Sequence, residues 1–569
     1  MRYYALACDY DGTIATDGKV DAATWDALTR LKASGRKLLL VTGRELEDLQ
    51  RVLPAYALFD LIVVENGGLL FDPQSHEEHP LGPAPPPAFV AALRARGVTP
   101  LSVGRVIVAT WEPHETAVLE AIRELGLDLQ VIFNKGAVMI LPAGVNKASG
   151  LHAALARLGL SAHNVVSVGD AENDHAFLSV SEFSVAVANA LPAVKERVDW
   201  VTEGARGAGV TQLCEALLKD DLRSRDHALA RHVLPLGHER DDGEIGIPAY
   251  GANVLLSGTS GSGKSTFALS LLERLHERGY QYCIVDPEGD YENFEDAVVL
   301  GDAKNSPTVA EALKVLERPE RNAVVNLLGI ALDHRPAFFQ SLLPALLKLR
   351  ADTGRPHWIV VDETHHLLPK DWLPTGAQFP AKIHGMVFIT VHPDQVAPVA
   401  LKAVDFMAAI GEAPDDTFAR FARSVGRAPP ARTGAKLASG EAFGWWCRRD
   451  AAPFWFRSIP PQAEHKRHIR KYASGDLGDH SFYFRGADRK LNLRAQNLMI
   501  FMQMADGVDD ATWEYHLQRG EYSRWFRECV KDAELADAAA AVERRRGIAP
   551  KESRRLIRAE IEQRYTAPA

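Results

Sequence analysis

Residues 6–18 read LACDYDGTIATDG. A short apolar run ends in two aspartates one residue apart, Asp9 and Asp11, and Gly12 and Thr13 then allow a sharp turn. In a parallel sheet the carboxyl ends of the strands open onto the ligand crevice, so both acids are placed for chemistry. The D-x-D spacing sends them to one side, where one carboxylate can attack phosphorus while the other moves a proton. Acidic turns after strands are commonly structural, so the reading depends on the polar residues that end the later strands.

Working outward, LLLVTGRE (38–45) places Thr42 at the end of the next apolar strand, a neutral donor for a phosphate oxygen. GVNKASGL (144–151) offers Lys147 at a helix start, a cation able to hold nucleophile and phosphate together. VVSVGDAENDHAF (165–177) offers Asp170 and Asp174 after another strand, hard oxygen ligands suited to Mg²⁺. Continuous apolar runs alternating with helical stretches such as DAATWDALTRLKASG (21–35) predict a parallel sheet covered on both faces over 1–217. Residues from about 76 to 144 carry strands and helices of their own and read as an inserted module.

Taken in order, Asp9-Tyr10-Asp11-Gly12-Thr13, Thr42, Lys147 and Gly169-Asp170-Ala171-Glu172-Asn173-Asp174 resemble the four motifs of the haloacid dehalogenase superfamily. The resemblance implies Asp9 as nucleophile, forming an aspartyl-phosphate, and Asp11 as general acid and then base. It implies Mg²⁺ held by Asp9, the Asp11 carbonyl and Asp170, with Asp174 supporting the metal shell and Thr42 and Lys147 binding the phosphoryl group. The D-x-D form favours a phosphatase. An insert between Thr42 and Lys147 is similar to the C2-type cap of the sucrose- and trehalose-phosphate phosphatase branch, as are VENGG with Asn66 and TGRE with Arg44. Such a cap screens the site from water and chooses the leaving group. Gly43, Arg44, Asn66 and Asn173 are therefore candidate substrate-binding residues beside Thr42, in an enzyme for a small, sugar-phosphate-like metabolite. Arg44 at a helix start also suits a surface salt bridge.

A second machine lies further along the chain. VLLSGTSGSGKSTFALSLL (254–272) is an apolar strand, a glycine-rich loop and a helix that fit G-x-x-x-x-G-K-[ST]. Backbone N–H groups of Gly258, Thr259, Ser260, Gly261, Ser262 and Gly263, with the helix start at Ser265 and Thr266, cradle the phosphates of ATP. Lys264 reaches the β and γ oxygens and Ser265 ligates Mg²⁺. Downstream, RPHWIVVDETHHLLP (355–369) places Asp362 to hold that Mg²⁺ and Glu363 to polarise an attacking water, which argues for hydrolysis over transfer. VFITVH (387–392) ends at Thr390 and His392, where ATPases sense the γ-phosphate; the position equally suits a structural histidine. With IVDPEGDY (284–291), these motifs resemble the HerA/FtsK ATPases, mostly hexameric rings whose sites are completed by an arginine from the neighbouring subunit. A homo-oligomer follows from that resemblance.

The whole chain has 569 residues, too many for one core, since domains rarely grow beyond roughly 250–300 residues. The expected organisation is a Rossmann-like α/β core with an inserted α+β cap (1–217, cap about 76–144), a linker at 218–247, a RecA-like P-loop domain at 248–460 and a small, mainly helical region at 465–569. A net charge of -9 gives no global pull toward nucleic acid. The five scattered cysteines form no C-x-x-C pair, and neither a signal peptide nor an apolar run near the ~18 residues of a membrane span is seen, which points to the cytoplasm. In the tail, aromatics interleaved with Arg485, Arg489, Lys490 and Arg494 could stack bases or form a small core with the arginines outward. Basic residues outnumber acidic ones eight to four over 542–564, the best candidate for a nucleic-acid or partner patch.

Two further functions compete with a capped phosphatase regulated by its ATPase. One is end repair of the polynucleotide kinase-phosphatase kind, against which the cap, Glu363 and the acidic balance count. The other is a DNA-translocating ATPase with the phosphatase as effector, for instance in defence.

Overall fold

The computed structural model describes residues 1–569 except 229–231, 260, 293, 372–382, 450, 462–480, 488–490, 531, 546 and 566–569. The described residues form two compact units, Met1–Lys264 with Leu271–Ile459, and Ser265–Ser270 with Pro460–Ala569.

The first unit is built on two sheets. One has eight strands in the order Trp200–Val201, Phe183–Ala186, Val165–Gly169, Ala5–Cys8, Lys37–Val41, Leu61–Val64, Leu69–Asp72, Glu77–Pro80, parallel up to Leu61–Val64 and antiparallel in the last two. Its central strands are buried throughout, which is why they read as unbroken apolar runs. Asp170, Asp9, Thr42 and Asn66 all come just after the carboxyl ends of adjacent strands. The insert is a separate layer: strands Ser102–Val103, Val108–Trp111, Ala137–Pro142 and Leu129–Asn134 in that order, with helices Pro87–Ala95 and Glu115–Glu124 closing a core around Phe89, Leu93 and Ile140.

The other sheet has eleven strands, in the order Glu244–Pro248, Val233–His238, Phe454–Ser458, Glu441–Trp446, Phe406–Ile410, Val254–Gly258, Met386–Thr390, Trp358–Val361, Tyr282–Asp286, Ala323–Asn326, Val298–Leu300. From Phe406–Ile410 onward it is parallel, with Val254 opposite Phe406 on one side and Val387 on the other. Residues 233–248, expected within a linker, form a hairpin on the antiparallel edge of this sheet. Leu234, Ile245 and Ile247 bury while charged neighbours stay outside. The alternation was hidden by the charge of HERDDGE at the hairpin turn.

The two sheets meet at the amino-terminal ends of their strands. Tyr4, just before Ala5–Cys8, donates its hydroxyl to the Arg350 and Ala351 carbonyls, both at 3.0 Å. Arg355 Nε donates to the Gly159 carbonyl (3.1 Å). Glu182 collects Arg2 Nη2 (2.6 Å), His163 Nδ1 (2.6 Å) and the Tyr280 hydroxyl (3.2 Å). His163 stacks on Tyr280 with ring centroids 3.8 Å apart. The carboxyl ends, which carry the candidate catalytic residues, are thus the edges away from this joint.

The second unit contains helices Leu498–Gly507, Asp510–Gln518, Glu521–Glu528, Ala533–Glu543 and Pro550–Tyr565 and a strand pair Phe482–Phe484 with Leu493–Ala495. Phe482, Phe484, Phe501, Trp513, Tyr522, Trp525 and Phe526 are its buried core, so these rings are not offered for stacking. Arg489 and Lys490 lie outside the described residues. Among the described residues no helix is long and apolar enough to cross a membrane.

Candidate functional site

The first site grows from the edge where four neighbouring strands end. Lys147 opens the helix Lys147–Leu158, capped by Asn146, whose side chain accepts from the main-chain N–H groups of Ala148 and Ser149. The buried Lys147 ammonium donates to Asp9 Oδ1 and Asp174 Oδ1, both at 2.6 Å. Asp174 spends its other oxygen on the N–H groups of Asp170 (2.8 Å) and Ala171 (2.9 Å). Two buried carboxylates share one ammonium. Burial and the Asp174 charge push the Asp9 carboxyl up to about 7 against the pull of Lys147. Burial opposes the Lys147 charge, yet Asp174 and Asp9 hold that ammonium above the ordinary lysine value.

Oxygens of Asp9, Asp170 and Asp174 lie within 4.8 Å of one another. Three buried carboxylates facing one buried lysine leave excess negative charge, which suits a divalent cation with hard oxygen ligands. Gly12 is part of the same cradle: its φ is +90°, and a Cβ there would come within 2.5 Å of Asp170 Oδ2. The Asp11 side chain is 44% exposed. Arg44 grips it with a two-pronged fork, Nε to Oδ2 at 2.7 Å and Nη2 to Oδ1 at 2.8 Å, and also pairs with Asp48. Thr42 is buried and accepts from the Arg44 main-chain N–H (3.2 Å). Asn173 donates to Asn66 Oδ1 (3.0 Å), beside Gly43.

The second site lies at the carboxyl edge of the other sheet. Gly261 and Gly263 take φ of 74° and 97°, and a Cβ on Gly258 would lie 2.0 Å from the Ile410 carbonyl, so the loop needs its glycines. Lys264 Nζ donates to the Gly258 (3.1 Å) and Thr259 (2.9 Å) carbonyls, and Ser265 and Thr266 continue the helix Lys264–Glu277. Ser262 stands against Gly411; Ser260 lies outside the described residues. Asp362 is buried, and burial, then Asp290 and Asp286, push its carboxyl well above the usual range. Glu363 holds φ 36° and ψ 54°, a left-handed conformation costly for a non-glycine residue. Its Oε2 is buried with no hydrogen bond, and burial with the nearby Glu288 charge pushes it up to about 7. The main-chain N–H of His392 donates to Thr390 Oγ1 (3.0 Å), and the ring Nδ1 of His365 lies 3.1 Å from the same oxygen.

The family model for haloacid dehalogenase-like hydrolases matches residues 6–81 and 105–213. A phosphoglycolate phosphatase of Methanothermobacter thermautotrophicus is 33% identical over 218 residues, covering 37% of this chain and 96% of that protein. The chain belongs to the haloacid dehalogenase-like hydrolases. A second phosphoglycolate phosphatase, from Halorubrum lacusprofundi, is 33% identical over 207 residues, covering 34% of this chain and 89% of its own. A haloacid dehalogenase-like hydrolase structure from Bacteroides thetaiotaomicron aligns at 19% identity, covering 38% of this chain and 99% of that one with a TM-score of 0.33. The family model for the central domain of helicase HerA matches residues 252–350 of this hydrolase. A phosphatase is thus fused to a HerA-type ATPase domain.

Three residues of the hydrolase escaped the motif reading. Lys135, at the tip of a hairpin in the insert, reaches Asp170 Oδ2 (2.9 Å) and the Asp11 carbonyl (3.3 Å). Buried Glu65 accepts from the N–H groups of Arg105 (2.8 Å), Val106 (2.7 Å) and Ile107 (3.0 Å), tying the insert to the core. His365 joins the Thr390 cluster, where burial and the neighbouring His366 push it down to about 4 and keep it neutral. Lys135 stands outside every motif, and Glu65 lies within V-E-N-G-G, where only its neighbour Asn66 was singled out.

Proposed function

We propose that the protein is a Mg²⁺-dependent phosphatase of a small phosphorylated metabolite, working through an aspartyl-phosphate on Asp9 and governed by ATP turnover in its second half. The observation that carries this reading is the buried Asp9–Lys147–Asp174 triad beside Asp170. Asp9 attacks phosphorus as the ester bond breaks, while Lys147 and Thr42 balance and bind the phosphoryl oxygens. Asp11 gives its proton to the departing oxygen, and Arg44 stabilises the carboxylate left behind. Water then attacks the aspartyl-phosphate, Asp11 takes its proton, and inorganic phosphate leaves with Asp9 restored. Asp9, the Asp11 carbonyl and Asp170 would hold Mg²⁺, which neutralises the phosphoryl charge, with Asp174 supporting that shell from behind.

The resemblance of the insert to the cap of the sugar-phosphatase branch makes sugar phosphates candidate substrates, and the phosphoglycolate phosphatases similar to this chain add phosphorylated hydroxy acids. Gly43, Asn66 and Asn173 line the substrate side. In the ATPase half, Lys264 and the loop bind ATP, Ser265 and Asp362 would hold its Mg²⁺, Glu363 activates water and His392 reads the γ-phosphate. The joint at Glu182 carries the coupling between halves, with a homo-oligomeric ring of cytoplasmic copies as the regulated form. The helicase HerA match favours a second reading, a nucleic-acid motor, and DNA-stimulated ATP turnover would support it.

Hydrolysis of p-nitrophenyl phosphate is expected to need Mg²⁺ and to stop with EDTA or in Asp9→Asn. Persistence in Asp9→Asn would refute the mechanism.

A further inference from the structure

The turn after the strand Trp358–Val361 carries Glu363 and His365 two residues apart. Side chains two apart on a helix point to different faces, so such a pair does not ordinarily meet. Here it does. Glu363 precedes the short helix Thr364–Leu367 with its backbone left-handed, φ 36° and ψ 54°, and its Oε2 comes to 3.4 Å from His365 Nδ1. A strained backbone of this kind persists only where the surroundings enforce it. Thr364 supplies that enforcement: its buried hydroxyl donates to the Val361 carbonyl (2.9 Å) and accepts from the Ile389 N–H (3.1 Å), which fixes the turn between the strands Trp358–Val361 and Met386–Thr390.

The same His365 Nδ1 lies 3.1 Å from Thr390 Oγ1, at the end of the second of these strands. One ring nitrogen thus stands between two oxygens, which differ in what else they hold. Thr390 Oγ1 already accepts from the main-chain N–H of His392 (3.0 Å), whereas Glu363 Oε2 is buried and has no hydrogen bond among the described residues. A buried carboxylate oxygen without a donor is costly, and hydrogen bonds of a catalytic site are often long before the substrate binds and tighten afterwards. A proton on Nδ1 serves both oxygens; with Nδ1 bare, its lone pair would face those of the carboxylate. His366 and His392 pack against the His365 ring, with centroids 4.1 and 5.6 Å away, and keep that nitrogen in place.

We infer that His365 is the positioning residue of the ATPase half: its Nδ1–H, steadied by Thr390 Oγ1, bonds Glu363 Oε2 and leaves Oε1 to meet the attacking water. As that water adds to the γ-phosphorus, the bond to the bridging oxygen of ADP breaks and the water's proton passes to Oε1. This rests on the proposed role of Glu363 as base and adds what aims that carboxylate.

The test measures ATP turnover, with and without double-stranded DNA, and the affinity for a fluorescent ATP analogue in the wild type, Glu363→Gln, His365→Ala, His365→Asn and His365→Gln. An asparagine amide nitrogen can take the place of Nδ1, whereas that of glutamine reaches the place of Nε2. In His365→Ala and His365→Gln kcat is expected to fall about 10- to 100-fold, as it does when a reacting group is misplaced by about an ångström, and in His365→Asn to recover most of that loss. Nucleotide affinity should stay unchanged in all three. Full turnover in His365→Ala, equal turnover in His365→Asn and His365→Gln, or a loss carried by nucleotide affinity would overturn the assignment while an inactive Glu363→Gln keeps the role of Glu363. Wild-type turnover in Glu363→Gln, or none in the wild type itself, would remove that role and the inference together.

Discussion

Lys147 shows what a single residue does in two roles. Its ammonium pairs with Asp9, the proposed nucleophile, and it also neutralises Asp174, whose other oxygen fixes the turn that carries Asp170. Lys147→Met leaves two buried carboxylates without their partner and should cost about 3–5 kcal/mol, together with all phosphatase activity. Adding Asp174→Asn to that variant removes one of the stranded charges. Denaturant unfolding should then recover part of the lost stability while activity stays absent; no recovery would show that the triad is not an electrostatic unit. Asp9, Thr42 and Asp170 were legible in the sequence because each comes just after a strand end, where position in the chain fixes position in the sheet, and Lys147 because it opens a capped helix. Lys135 was not, since its contact with Asp170 depends on a hairpin of the insert folding over the core.

At the scale of elements, the strands that read best were the fully buried ones. Ala5–Cys8, Val165–Gly169, Val254–Gly258 and Trp358–Val361 bury every residue, so hydrophobic continuity alone betrays them. The hairpin Val233–His238 with Glu244–Pro248 was missed because an edge position leaves alternate residues in solvent, and the remaining signal is diluted by charge. Close approaches between elements are equally silent in sequence. Gly67 shows this: with φ +104° it lets the turn after Leu61–Val64 lie against the start of the Lys147 helix, where a Cβ would fall 1.9 Å from the Asn146 carbonyl.

At the scale of the first compact unit, the halves are joined back to back, so their reaction centres face away from the shared joint. Glu182 anchors the joint. Burial opposes its charge, but His163, Arg2 and His232 more than offset that and hold it at about 2, below the ordinary 4.5. A depressed carboxyl contributes stability above its unfolded value and loses it as pH falls toward the folded one, here between about 4.5 and 2. The full contribution is about 3 kcal/mol. Unfolding of Glu182→Gln followed from pH 5 to 3 should lack the part of the wild-type pH dependence that this group supplies; parallel curves would contradict the assignment.

The central claim is that one chain carries two separate phosphate chemistries, one centred on Asp9 and the other on Lys264. Its most direct test measures both activities, p-nitrophenyl phosphate hydrolysis and ATP turnover, in Asp9→Asn and Lys264→Ala. Asp9→Asn is expected to lose the first and keep the second, and Lys264→Ala to lose ATP turnover while a phosphatase rate survives. Loss of both activities in either variant would contradict the account.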